Sequence, residues 1–91
     1  MMVQYKIGER ISIIVPRPEP NFDRACDVAY RMALMRFGGD DCGHLNNVED
    51  SERSTDSVEV EFKSYRHSGG MGGQAMVYTF EAWVERYEDE V

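Results

Sequence analysis

Met76-Val77-Tyr78-Thr79-Phe80-Glu81-Ala82-Trp83-Val84-Glu85-Arg86-Tyr87 is the stretch on which the fold turns, because its apolar residues satisfy two different periods. Met76, Tyr78, Phe80, Ala82 and Val84 alternate, as in a strand with one dry face. Phe80, Trp83, Val84, Tyr87 and Val91 are also spaced i, i+3, i+4, i+7 and i+11, and Thr79 offers an N-cap for a helix over 79–91. Val77-Tyr78-Thr79-Phe80 is rich in strand formers, which favours the strand. Residues 75–87 then form one arm of a hairpin. Val58, Val60 and Phe62, alternating with Glu59, Glu61 and Lys63, supply the other arm, and Ser68-Gly69-Gly70-Met71-Gly72-Gly73 reverses the chain between them.

Working back toward the N-terminus, Val3, Tyr5, Ile7, Ile11, Ile13 and Val15 fall on odd positions, the period of a first strand interrupted at Gly8-Glu9. Pro16, Pro18 and Pro20 cannot donate ladder hydrogen bonds, so the sheet stops there. Asn21 then offers an N-cap, with Asp23 in the first turn. Phe22, Ala25, Cys26, Ala29, Tyr30, Met32, Ala33 and Phe37 share one side of a helical wheel, and Gly38-Gly39 ends the helix. The stripe is wider than one sheet face needs, which suits a well-buried helix or one that also packs on a second subunit. Residues 40–57 lack periodicity and read as a long polar loop. The expected fold is a single α+β domain over 1–91, β-α-β-β, a three-stranded antiparallel sheet with one helix packed on one face.

The net charge of −7 is unevenly spread: thirteen acids face four bases from Gly38 onward, and six bases face four acids before it. An acidic surface repels polyanions and attracts basic partners, so direct nucleic-acid binding is not expected. Arg24 and Arg31 do share the outer helix face, but Asp23 and Asp27 lie beside them. The longest apolar run, Ile13-Ile14-Val15, is far short of a membrane span, and the start has no signal core. Two cysteines make no disulfide framework, which points to reduced thiols in a cytoplasm.

Three clusters invite chemistry. Asp40-Asp41-Cys42-Gly43-His44 gathers carboxylates, a thiol and an imidazole, but it lacks Cys-x-x-Cys spacing, and an acidic neighbourhood disfavours a thiolate. A small metal-binding protein or enzyme using Asp41, Cys42 and His44 is therefore an alternative, while the main expectation is no catalysis, no metal and no cofactor. The glycine-rich 68–73 run precedes a strand and has no nearby Lys, unlike a phosphate loop. The third cluster is the wet face of the hairpin. Glu59, Glu61, Lys63, Tyr65, Glu81, Trp83, Glu85 and Tyr87 would alternate carboxylates with aromatics on a surface the helix leaves open. Aromatics anchor protein interfaces and carboxylates steer a basic partner toward them.

In size, charge and layout the whole chain resembles the small acidic phage-encoded proteins that inhibit host enzymes or defences, the anti-CRISPR proteins among them. The resemblance covers the profile and no motif. It implies a non-catalytic inhibitor in the host cytoplasm, a nucleic-acid mimic that occupies a basic site on a host protein. The partner-binding residues expected from the pattern itself are Glu59, Glu61, Tyr65, Glu81, Trp83, Glu85 and Tyr87. The alternative class is a structural homo-oligomer, a homodimer through the helix stripe or the free sheet face.

Overall fold

In a computed structural model that describes residues 3–16, 21–39, 44–51, 55–67 and 76–87, the elements run β1 (Ile11–Ile14), α1 (Phe22–Arg36), β2 (Asp56–His67) and β3 (Met76–Arg86). The fold is a small α+β unit with an antiparallel sheet of order β1-β3-β2 and one helix. The contested stretch is a strand. β3 lies in the centre, pairing with Ile11–Ile14 on one side and with the whole of β2 on the other, and this bonding on both edges decides against the helical period. The glycine-rich tip lies outside the described residues.

The helix begins where its capping chemistry places it. Asn21 Oδ1 accepts from the backbone N–H of Asp23 at 2.9 Å and of Arg24 at 3.3 Å. At the other end Phe37 is the C-cap, and Gly38 follows at φ +76°, a left-handed conformation that favours glycine. Ala25, Ala29 and Ala33 are 0% exposed. This narrow alanine line allows the backbone to lie close against Ile13, Phe80, Ala82 and Val84, which belong to the same buried cluster. The wide stripe expected from the wheel is not all covered, for Phe22 and Tyr30 are each 43% exposed.

Two expectations need correction. Val3 to Ile7 does not extend the sheet as a strand. Instead Tyr5 makes a parallel bridge with Val48, its N–H donating to Asn47 O at 2.7 Å and its carbonyl accepting from Glu49 N at 2.8 Å. Gly8, at φ +83°, turns the chain back so that its N–H reaches Val84 O at 2.8 Å. Within the loop read over 40–57, Leu45, Val48 and Ser51 are buried among the described residues, and β2 already starts at Asp56. Leu45 and Val48 join Tyr5 and Phe37 in the core beside the helix C-terminus, with the Tyr5 and Phe37 rings edge to face at 5.0 Å. Asn47 ties this loop to the helix end, donating from its amide side chain to Arg36 O and from its N–H to Phe37 O. Carbonyls that no intrahelical donor can reach are thereby satisfied.

β2 contains a bulge. Phe62 is opposite Phe80, whereas Ser64 is opposite Thr79, so Lys63 is an extra residue. Before it, Val58, Val60 and Phe62 share the helix side with Val84, Ala82 and Phe80; after it, Tyr65 and His67 do so, opposite Tyr78 and Met76. The alternation changes phase at one residue. Among the described residues no helix is long and apolar enough to cross a membrane.

Candidate functional site

The face of the sheet turned away from the helix carries Arg10 and Ser12 beside Glu81, Trp83 and Glu85 of β3 and Ser57, Glu59 and Glu61 of β2. Trp83 lies opposite Glu59, and Glu81 lies between Ser12 and Glu61, which puts the tryptophan in the middle of the face. Six of the expected residues, Glu59, Glu61, Glu81, Trp83, Glu85 and Tyr87, are brought together here. Tyr65 is not. The bulge at Lys63 moves it to the helix side, where it stacks 6.3 Å from Phe62 and lies 6.2 Å from Tyr78.

No carboxylate on this face stands alone. Glu61 and Glu81 share two cations: Arg10 Nη1 is 3.1 Å from Glu61 Oε2 and 3.7 Å from Glu81 Oε1, and Lys63 Nζ is 3.2 Å from Glu81 and 3.8 Å from Glu61. These two acids are locally neutralised. Among the described residues Glu59 and Glu85 are bound only to neutral donors. Glu59 Oε1 accepts from the Tyr87 hydroxyl at 2.8 Å and from Ser57 Oγ at 3.2 Å, and Glu85 Oε2 accepts from Trp83 Nε1 at 2.6 Å. The uncompensated negative charge therefore lies on the Tyr87 side of Trp83. Hydrogen bonding to Glu59, then burial, then the charges of Glu59 and Glu85 push the Tyr87 phenol above its ordinary value. A phenol raised in this way keeps its proton, and its bond to Glu59, throughout the neutral range, and loses them only in alkali.

Arg10 was not among the residues expected here. Its guanidinium lies 4.1 Å from the centre of the Trp83 ring, so the indole is half-buried under a cation. The signal was present in the sequence: Arg10 and Ser12 alternate with Ile11 and Ile13, which places them on the wet face once the first strand is set beside β3. Arg10→Ala is expected to shift Trp83 emission to the red and increase its quenching by acrylamide. Stability should fall by only about 0.5–1 kcal/mol, the range for an exposed cation–π contact. Unchanged emission would show that Arg10 does not cover the ring in solution. The chain has one tryptophan, so the signal has a single source.

The alternative site is only partly within view. Asp40, Asp41, Cys42 and Gly43 lie outside the described residues, and His44 is exposed. Among the described residues no group of three or more His, Cys, Asp or Glu could hold a metal ion. Cys26 is half-buried, and burial followed by the nearby Asp23 pushes its thiol up, against the direction a nucleophile needs. On the outer helix face Asp27 and Arg31 form an ion pair at 3.4 Å, a mixed solvated surface and not a basic stripe.

The exposed aromatics on the helix side also escaped the sequence reading. The apolar pattern puts Phe22 and Phe62 on the dry side, yet they are 43% and 39% exposed. They meet edge to face at 5.4 Å, and Tyr65, 54% exposed, extends the patch beyond the end of the helix. No protein-family model matches this chain, and neither a curated protein nor a solved structure is significantly similar to it.

Proposed function

We propose that the chain is a non-catalytic protein-binding module that presents its uncovered sheet face to a basic surface of another protein. The observation that carries this reading is the placing of Trp83 at the centre of that face, flanked by Glu59 and Glu85, whose charges no cation offsets among the described residues. Hydrogen bonds already hold both carboxylates and the indole, so little side-chain freedom remains to be lost on binding. An arginine or lysine of the partner would meet the carboxylates, and its apolar stem would pack beside the indole that Arg10 covers. Where the partner's basic surface normally holds nucleic acid, the bound module would act as a steric inhibitor, the mode implied by the resemblance to acidic phage-encoded inhibitors.

The test compares capture of basic proteins from a candidate host lysate by the immobilised chain and by variants. Trp83→Ala, and Glu59→Lys with Glu85→Lys, are expected to abolish capture. The same charge change away from the face, Asp27→Lys with Glu49→Lys, should preserve it. Capture by the wild type should weaken between about 0.05 and 0.3 M salt, as screening shortens the reach of the charges. Equal losses in the face variants and the charge-matched control would remove the sheet face from consideration.

A further inference from the structure

Among the described residues only β3 pairs with β2, and β2 ends the sheet order, so its outer edge is open. Every residue on it from Glu61 to His67 is exposed. Open edges are commonly protected by a lysine at the edge or by a bulge. Here the lysine is diverted, because Lys63 Nζ lies over the open sheet face against Glu81 and Glu61.

We propose that β2 pairs antiparallel with β2 of a second copy about a two-fold axis at the bulge, joining two three-stranded sheets edge to edge. The occupant is identified by charge. The first half of β2 carries Glu59 and Glu61, and the second carries Lys63 and Arg66. An antiparallel copy sets each half against its opposite, whereas a parallel copy would set like against like. Arg66 is exposed and makes no ion pair within the chain among the described residues.

The bulge selects the register. Its change of phase leaves Glu61, Lys63, Ser64 and Arg66 on the open face and Val60, Phe62, Tyr65 and His67 on the helix side. Setting Glu61 opposite the partner's Arg66 then puts Phe62 opposite the partner's Tyr65, Lys63 opposite the partner's Ser64 and Val60 opposite the partner's His67. Each pair shares a face, as directly opposed residues must. A shift of one residue either way sets most pairs on opposite faces, and a shift of two does so at the centre of the ladder, where Phe62 would meet the partner's Lys63 or Tyr65 the partner's Ser64. A ladder confined to the acidic half would set Glu59 against Glu61. The chosen register also covers the exposed aromatics, since Phe62 and Tyr65 of each copy meet those of the other on the helix side. The Trp83 faces of both copies stay open, so this pairing does not compete with capture of a basic partner.

Sedimentation and light scattering of the full chain over a concentration series test the proposal. The wild type is expected to form a dimer that dissociates on dilution. Arg66→Glu and Glu61→Arg should each raise the dimer dissociation constant about tenfold or more, because the two-fold axis repeats every altered pair. The double variant, with the charges exchanged, should return most of the affinity. Circular dichroism identifies any variant that fails to fold, and Arg66→Glu, which breaks no ion pair within the chain, remains informative if Glu61→Arg does fail. A monomer at all concentrations would overturn the proposal and leave the edge to a strand of another protein. A dimer indifferent to Arg66→Glu would overturn it as well, and so would a folded double variant no tighter than the single ones.

Discussion

Phe80→Ala is expected to cost about 3–5 kcal/mol and to lower the thermal midpoint by about 15 °C or more. Phe80 is 1% exposed on the central strand, and its ring lies within 6.4 Å of the Phe22, Phe62 and Tyr78 rings. Its removal leaves a cavity between sheet and helix that neighbours bonded into both ladders cannot close. A chain of 91 residues has a total stability of only about 5–14 kcal/mol, so the loss is a large share of it. Urea titration checks the value: the midpoint should fall with the slope unchanged. A loss below about 1 kcal/mol would mean that the site relaxes and that Phe80 is not central to the core.

Ala29→Leu is expected to destabilise by about 1–3 kcal/mol, although leucine forms helices nearly as well as alanine. Ala29 is 0% exposed, in line with Ala25 and Ala33, and the helix lies close to the sheet because these three side chains are small. A larger residue must lift the helix or take a strained rotamer. Met35→Leu serves as control, since Met35 is largely exposed and the change should leave the melting midpoint in place. Equal midpoints for Ala29→Leu and the wild type would show that the helix is not seated on its alanine line.

Local chemistry was readable where it acts over a few residues. Asn21 caps the helix as its side chain requires, Gly38 ends it at positive φ, and the two arms of the hairpin alternate as amphipathic strands do. Most of the candidate face was readable for the same reason, because Glu59, Glu61, Glu81, Trp83 and Glu85 follow a strict period of two. Tyr65 was misplaced because the period was carried through Lys63. A bulge leaves no compositional trace when the extra residue is an ordinary lysine. Leu45 and Val48 read as loop because they join the core from isolated bridges, to Gly39 and to Tyr5, and carry no periodic pattern of their own.

The sequence by itself determined the helix with its two ends and the sidedness of β1 and of β2 before its bulge, because capping, glycine conformation and alternation are short-range constraints. It also determined the lopsided charge. Only the tertiary structure decided that residues 76–86 are a central strand, since the two apolar periods there differ in which neighbours they would satisfy. It also decided which acids remain uncompensated. Arg10, just before β1, and Lys63 of β2 converge on Glu61 and Glu81, so that among the described residues the carboxylates of this face left without a cation are Glu59 and Glu85, beside Trp83. Electrostatic pairing depends on distance in space, and the chain reveals that distance only when folded.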